Sequence, residues 1–158
     1  MKLKSNSEGE TFLIGKALGG CLKAGDTVLL RGDLGTGKSV LARGIASALG
    51  IDRPMASPSF TIMQPYEGVY PVYHFDLYRL SDTDEIYFAG LEEHIGSDGV
   101  AMIEWQEILD ETPPVNVDIC IQRGNGFDER ELEVRLNGME DRAQLICSSL
   151  KPFSEGSA

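Results

Sequence analysis

The segment Gly32–Ser39 constrains this chain more than any other, because it fits the pattern G-x-x-x-x-G-K-[ST] of a phosphate-binding loop. The preceding residues, Thr27–Arg31, are β-branched and apolar and indicate a buried strand. The following residues, 40–49, carry apolar side chains at helical spacing and are followed by Gly50, a helix stop signal. Strand, glycine-rich turn and helix is the context in which this motif binds phosphate, so the sequence predicts a nucleotide site here.

The residue types of the loop suit a polyphosphate. Glycines let the backbone turn its N–H groups toward phosphate oxygens, and the positive end of a helix beginning near Lys38 points the same way. We expect Lys38 to reach the β- and γ-phosphates and the Ser39 hydroxyl to bind Mg²⁺. The residues of this loop that we predict to contact nucleotide are Asp33, Leu34, Gly35, Thr36, Gly37, Lys38, Ser39 and Val40.

Two carboxylates that end apolar strands are candidates for the metal and water chemistry of such a site. Asp76 ends the run Val72–Phe75, and Glu104 ends the run Val100–Ile103. One acid would hold Mg²⁺, directly or through water, and the other would orient the attacking water. The pattern does not select between the two assignments. With Lys38, these acids are the predicted catalytic residues.

Other side chains have both a structural and a functional interpretation. The hydroxyls within 57–61 could sense a γ-phosphate, or they could serve the turn around Pro58 and the strand that follows. We expect His74 to be a satisfied core residue rather than a catalyst. The chain lacks the Asn-Lys-x-Asp pattern of guanine-specific GTPases, which favours ATP. The arginines that could stabilise charge are Arg43, Arg79 and Arg130, and no spacing selects one.

The remaining periodicity predicts a single α/β domain over residues 1–158, a three-layer fold of the P-loop NTPase type with a mixed parallel and antiparallel sheet. The predicted helices are 8–23, capped by Ser7, then 82–95 in two pieces and 140–150, with a helical turn at 105–109. The predicted extended runs are 57–66, 70–77, 99–104, 117–122 and 130–136. Short connections make 57–66 with 70–77, and 117–122 with 130–136, antiparallel pairs. We expect the tail 152–158 to be frayed.

Composition limits the partners of this chain. Its net charge of −11 makes it a poor candidate for gripping nucleic acid by itself, so a partner would have to hold any RNA. No apolar run approaches the ~20 residues of a membrane helix, and the polar start indicates no signal peptide. The three widely spaced cysteines argue for reduced thiols. We therefore expect a cytoplasmic protein without membrane contact.

Four motifs together resemble the TsaE family, formerly YjeE, the bacterial ATPases of tRNA threonylcarbamoyladenosine biosynthesis. They are the phosphate loop, Ser57–Thr61, the run His74–Leu80 and Ile103–Trp105. The likeness runs in order from residue 7 to residue 136. The phosphate loop alone is unspecific, whereas His-Phe-Asp-Leu-Tyr-Arg-Leu combined with Glu-Trp is specific to the family.

The resemblance implies a protein that binds ATP and Mg²⁺ and hydrolyses ATP slowly alone. It implies action with the TsaB–TsaD pair, in which TsaD transfers the threonylcarbamoyl group to adenosine 37 of certain tRNAs, so tRNA is met only through the complex. It implies that Lys38 is the phosphate lysine and Ser39 the magnesium hydroxyl. The metal set is then Ser39, Glu104 and Asp76, with Glu104 favoured as metal partner, and the other residues at the nucleotide are Trp105, Ser7, Glu8 and Arg130.

Two alternatives use the same phosphate loop. A small-molecule kinase would need an acceptor pocket and usually an arginine-rich lid, and the sequence shows no such lid. A nucleotide-dependent switch without useful hydrolysis would keep its function when Glu104 is replaced by Gln. Both remain open on the residues alone.

Overall fold

The computed structural model describes residues 1–33, 35–51, 63–76, 91–94, 96–105 and 115–154. Its strands are β1 (Lys2–Ser5), β2 (Thr27–Arg31), β3 (Met63–Glu67), β4 (Pro71–Asp76), β5 (Val100–Trp105), β6 (Val117–Arg123) and β7 (Arg130–Leu136). Its helices are α1 (Glu8–Gly19), α2 (Lys38–Ala48), α3 (Leu91–His94) and α4 (Ala143–Leu150), and a 3-10 turn follows at Lys151–Phe153.

The strands form one mixed sheet in the order β1-β7-β6-β2-β5-β4-β3. β2 runs parallel to both β5 and β6, and β4 runs parallel to β5. The pairs β3–β4, β6–β7 and β1–β7 are antiparallel, which confirms the two predicted antiparallel pairs. The carboxyl ends of β2, β4 and β5 therefore meet at one edge of the sheet.

Among the described residues, helices lie on both faces of this sheet, in agreement with the predicted three-layer fold. Val28 and Leu30 of β2 belong to the same buried cluster as Leu41 and Ile45 of α2, because apolar faces of strand and helix exclude water together. On the other face the short α3 lies against β4, where the ring centroids of Tyr73 and His94 are 4.2 Å apart.

The helices α1 and α2 approach each other closely at two glycines. A Cβ on Gly15 of α1 would overlap the backbone carbonyl of Leu41, and a Cβ on Gly44 of α2 would overlap that of Phe12. Only glycine permits this contact, which brings the start of α1 beside the start of α2. The helical pattern of these segments predicted the helices but not their close packing.

Several predicted boundaries were wrong. α1 ends at Gly19 instead of residue 23, because Cys21 and Leu22 donate their N–H groups three residues back and tighten the chain into a turn. α4 begins at Ala143 instead of residue 140. Trp105 is the last residue of β5 and pairs with Arg31, so it does not open a helical turn.

The two ends of the chain also differ from expectation. β1 was not predicted, because its four residues gain strand structure from pairing with the distant β7. The predicted frayed tail is ordered as far as Ser154, which forms a bridge to Leu3. The last residues, 155–158, and the predictions on 52–62, 77–90 and 106–114 lie outside the described residues.

Two expectations from composition can be compared with the structure. Cys21, Cys120 and Cys147 are all free thiols, as predicted. Within the described ranges, every helix is too short or too polar to cross a bilayer.

Candidate functional site

The phosphate loop connects β2 to α2 at the carboxyl edge of the sheet. Gly37 caps α2 with a φ of 110°, a left-handed conformation that a side chain would strain. A Cβ on Gly32 would lie 2.5 Å from the carbonyl oxygen of Ile121, so the loop also needs glycine for its close approach to β6. The structure therefore uses the motif glycines as the sequence predicts, and Leu34 lies outside the described residues.

Several hydrogen bonds hold the loop in its curved shape. The Lys38 ammonium donates to the carbonyl oxygen of Gly32 across the loop. The carbonyl oxygen of Asp33 accepts from the Thr36 hydroxyl at 2.8 Å and from the Thr36 N–H at 3.3 Å. Lys38 and Thr36 are both buried. Hydrogen bonds from Thr36 and Lys38 to the carbonyl oxygens at the start of the loop thus hold its two sides together.

Two arginines of the β6–β7 hairpin hold further carbonyls of the loop from outside. Arg130 Nε donates to the carbonyl oxygen of Thr36 at 2.8 Å, and Arg123 Nη2 donates to that of Gly35 at 3.4 Å. In a trans peptide the N–H points opposite the C=O, so the N–H of Gly37 is turned away from Arg130. The prediction that Arg130 contacts nucleotide stays a prediction, but its contact with the loop backbone is a feature that sequence reasoning missed.

The first turn of α2 presents N–H groups at the same place, and these groups have no partner among the described residues. In any α-helix the first N–H groups have no partner within the helix, and here Gly37 supplies no side-chain cap. These groups belong to Lys38, Ser39 and Val40. Together with the partial positive charge of the helix end they form the kind of backbone site that binds anions.

The two predicted acids lie side by side. Asp76 of β4 and Glu104 of β5 are directly paired in the parallel register, so both side chains project from the same face of the sheet. Glu104 Oε1 lies 3.5 Å from Ser39 Oγ at the start of α2. The structure therefore brings Ser39, Asp76 and Glu104 to one edge, as the ends of neighbouring strands predict.

The electrostatics of Lys38 depend on these acids. Burial lowers the pKa of Lys38 from its usual 10.5, because a charged ammonium is poorly solvated in the protein. The negative charges of Glu104, Asp76 and Asp33 oppose this effect, in that order of importance. The carboxylates thus offset part of the effect of burial, and the pKa of Lys38 stays below its usual value.

A histidine completes the cluster. His74 Nε2 lies 2.8 Å from Glu104 Oε2, and both side chains are buried, with 4% and 7% exposed. His74 lies in the core, as predicted, but it is not fully satisfied, because Nδ1 has no hydrogen-bond partner among the described residues. The sequence interpretation also missed that the partner of Nε2 is a site acid. Strand periodicity could have found it, because His74 and Asp76 are two residues apart and share a face.

The start of α1 lies beside the loop. Ser7 caps α1 by accepting from the Glu10 N–H at 3.1 Å, which confirms the predicted cap. Glu8 forms an exposed ion pair of 3.4 Å with Arg43 of α2. The predicted nucleotide contacts of Ser7 and Glu8 stay predictions. So does that of Trp105, of which only the backbone is described, while Arg79 and 57–61 lie outside the described residues.

The side chains at this edge carry oxygen atoms of the type that binds magnesium. Ser39, Asp76 and Glu104 offer hydroxyl and carboxylate oxygens, which are the ligands that Mg²⁺ prefers. The described residues contain no group of three or more His, Cys, Asp or Glu that could hold a metal ion alone. Mg²⁺ commonly binds through one or two carboxylates together with substrate phosphates. The site therefore suits a metal that arrives with a nucleotide.

A family model described as threonylcarbamoyl adenosine biosynthesis protein TsaE matches residues 5–132. The chain belongs to the TsaE family. The matched region contains the phosphate loop, both acids, His74 and Arg130, so the cluster described above lies wholly within the part of the chain that defines the family.

Similar proteins extend over nearly the whole chain. The chain is 38% identical to the tRNA threonylcarbamoyladenosine biosynthesis protein TsaE of Bacillus subtilis over 152 residues, which is 95% of this chain and 93% of the relative. It is 36% identical to the TsaE protein of Rickettsia conorii, covering 96% of this chain and 79% of the relative. The crystal structure of Bacillus subtilis YdiB is similar with a TM-score of 0.74 and 34% identity, over 96% of this chain and 94% of that one. The predicted family and fold class are confirmed.

Proposed function

We propose that this TsaE-family chain binds ATP with Mg²⁺ and hydrolyses it, as the ATPase partner in the threonylcarbamoylation of tRNA. The observation that carries the proposal is the meeting of Lys38, Ser39, Asp76 and Glu104 at one edge of the sheet. A cation, a hydroxyl and two carboxylates around a backbone anion site are the parts that phosphoryl transfer requires. The relatives named above are proteins of tRNA threonylcarbamoyladenosine biosynthesis.

The chain's own residues have distinct roles in this proposal. The N–H groups of the loop and of the first turn of α2 bind the phosphates, and Lys38 adds a charge-assisted hydrogen bond. Bound Mg²⁺ would neutralise negative charge on the phosphates. Ser39 and Glu104 are the residues assigned to hold it, because their oxygens face each other. Asp76, beside Glu104, then orients the attacking water.

The proposed partners come from the resemblance to the TsaE family, and the charge of the chain bears on how it meets tRNA. A net charge of −11 disfavours a direct grip on the tRNA backbone. We propose that the chain acts on a TsaB–TsaD pair in the cytoplasm, and that this pair holds the tRNA and makes the new bond. ATP hydrolysis by this chain then supports turnover of the complex.

The test measures ATP hydrolysis by the purified chain with and without TsaB–TsaD. We expect slow hydrolysis alone and a change of rate when the pair is present. Glu104→Gln should retain nucleotide binding by the loop and lose roughly a hundredfold or more in turnover, because a correctly held metal ion contributes several kcal/mol of charge stabilisation. Glu133→Gln, on the exposed side of β7, is the matched control and should behave like the parent.

Three results would contradict the proposal in different ways. If TsaB–TsaD neither binds the chain nor changes its turnover, the assigned partnership is wrong. A Glu104→Gln protein that supports tRNA modification like the parent would indicate a switch without useful hydrolysis. A phosphorylated metabolite formed from ATP would indicate a kinase.

A further inference from the structure

His74 holds one oxygen of the acid that the proposed function needs most. Its Nε2 lies 2.8 Å from Glu104 Oε2, within normal hydrogen-bond range. The other oxygen of the same carboxylate, Oε1, is the one that lies 3.5 Å from Ser39 Oγ. Glu104 is therefore held at one oxygen on the buried side and presents the other to the start of α2.

The surroundings of the ring identify its tautomer. An ionised carboxylate only accepts hydrogen bonds, so Nε2 must carry the proton. Nδ1 is buried and has no hydrogen-bond partner among the described residues. Nδ1 therefore makes no competing contact within the described part of the chain, and Nε2–H is the link between the ring and the acid.

A purely structural role would not require a histidine at this position. Two neighbours of His74 within the buried cluster are apolar, since Val72 precedes it by two residues on the same face of β4 and Met102 pairs with it on β5, whereas Gln64 pairs with it on β3. An apolar side chain would continue this core without the cost of burying a polar ring. The polar ring therefore serves its contact with the acid.

We propose that His74 is the positioning residue of Glu104. Its Nε2–H fixes Oε2 and thereby keeps Oε1 directed toward Ser39 and the nucleotide edge. The inference rests on the proposed function, because Glu104 matters in this way only if it serves a nucleotide with Mg²⁺. Partners that orient a metal ligand in this manner typically account for 10- to 100-fold in metal affinity or activity.

The test compares two amide substitutions of similar polarity. In His74→Gln the amide nitrogen can take the place of Nε2 and donate to Glu104. In His74→Asn the shorter side chain places its nitrogen near the position of Nδ1, so Oε2 loses its donor. Tyr73→Phe is the control. Tyr73 is the neighbour of His74 in sequence but lies on the other face of β4, and the change removes its hydrogen bond to Asp98.

Two quantities are measured for each variant. The first is the Mg²⁺ concentration at which half of the Mg²⁺-dependent gain in ADP affinity is reached, and calorimetry measures it. The second is kcat with TsaB–TsaD. We expect His74→Asn to raise the first and lower the second by roughly 10- to 100-fold, with ADP affinity in EDTA unchanged. His74→Gln should restore most of both, and Tyr73→Phe should change neither.

The inference is overturned if His74→Asn and His74→Gln behave alike, or if both weaken ADP binding in EDTA as much as in Mg²⁺. If His74→Asn does not fold, ring ¹⁵N–¹H spectra of the parent protein decide, since a proton on Nδ1 in place of Nε2 contradicts the proposal. A parent protein that binds no nucleotide would contradict the proposed function itself, whereas a normal parent with a normal His74→Asn variant would contradict the role of His74 alone.

Discussion

A buried carboxylate lies beside each end of the central strand β2, and the two carboxylates are held very differently. Asp26 directly precedes the strand, and Glu104 lies on β5 opposite Leu30. At the amino end, Asp26 accepts a hydrogen bond from the backbone N–H of Lys23 at 2.7 Å. It also accepts one from each terminal nitrogen of Arg142, at 2.6 and 2.7 Å. At the carboxyl end, Glu104 accepts from His74 at 2.8 Å and faces Ser39 at 3.5 Å. The first carboxylate is tightly bound by the chain, and the second keeps one oxygen loosely held.

The cations beside these two carboxylates, Arg142 and Lys38, also differ in how well the protein stabilises their charge. The hydrogen bond to Asp26 raises the pKa of Arg142, so the acid stabilises the charge of the arginine. Burial lowers the pKa of Lys38, and the nearby acids only oppose that effect. A cluster that satisfies its own charges stabilises the fold, whereas a cluster with a poorly solvated cation and a loosely held acid is suited to a charged ligand. We expect stability to depend on the amino end and nucleotide chemistry on the carboxyl end.

The largest expected effect is on stability, from Arg142→Leu. Removing one member of a buried ion pair leaves Asp26 without its partner, and such changes cost about 3–5 kcal/mol. Because Arg142 is slightly exposed, we expect the lower end of that range in the free energy of unfolding, measured with urea. ATP turnover per folded molecule should not change. Arg135→Leu, which breaks an exposed pair with Glu133, should leave the free energy of unfolding nearly unchanged, because solvent screens exposed ion pairs. A loss of turnover in folded Arg142→Leu would contradict the separation of the two ends.

The second prediction concerns the carboxyl end, where we expect a loss of nucleotide binding or turnover with little loss of stability. Lys38→Ala removes a charge-assisted contact to phosphate, so nucleotide binding or turnover should weaken by about 1.5–3 kcal/mol, roughly ten- to a hundredfold. The free energy of unfolding should not fall by a similar amount, because burial disfavours the charge of Lys38 in the free protein. Calorimetry with ADP and urea unfolding measure the two quantities. Lys23→Ala, an exposed lysine near the amino end, is the control. An equal loss of stability would assign Lys38 a structural role.

A smaller effect tests how the hairpin arginines support the loop. Arg130→Gln removes the hydrogen bond from Nε to the carbonyl oxygen of Thr36, and hydrogen bonds to charged groups are worth about 1.5–3 kcal/mol. Gln can replace part of this contact, so we expect nucleotide affinity to fall by about tenfold or less, with little change in the unfolding midpoint. Arg135→Gln on the same strand should leave affinity unchanged. Equal affinity for Arg130→Gln and the parent would show that the loop keeps its shape without the arginine.

The contrast between the two ends also explains which features the sequence could predict. The strand, loop and helix from Thr27 to Ala48 follow from local periodicity and glycine positions. The meeting of Asp76 and Glu104 follows from one general rule, that the carboxyl ends of neighbouring parallel strands share an edge. Both parts of the carboxyl-end site are therefore readable from short stretches of sequence.

The amino end could not be predicted in this way. The pair of Arg142 and Asp26 joins residues 116 positions apart, and no pattern near either residue identifies the other. β1 was missed for the same reason, because Leu3 gains its strand partner at Leu132. The hydrogen bond from Arg130 to the loop is equally non-local. Such contacts depend on how elements pack, which periodicity does not encode.

The smallest expected effect is a pH dependence that separates the two cations. Phosphate next to Lys38 should raise the pKa that burial has lowered, so nucleotide binding takes up a proton in the alkaline range below and around 10.5. Affinity should therefore fall as pH rises through the lowered pKa, by less than tenfold per pH unit because at most one proton is taken up.

The stability of the free protein should change in the opposite direction within the same window. There the unfolded chain still binds the proton that folded Lys38 has released, so stability rises with pH until 10.5. Arg142 stays charged throughout and contributes no slope. ADP calorimetry and urea unfolding across this range measure both slopes, and Lys38→Ala should abolish the Lys38 part of each. Slopes that persist unchanged in that variant would show that another group titrates, and the carboxyl end would then lose its electrostatic distinction from the amino end.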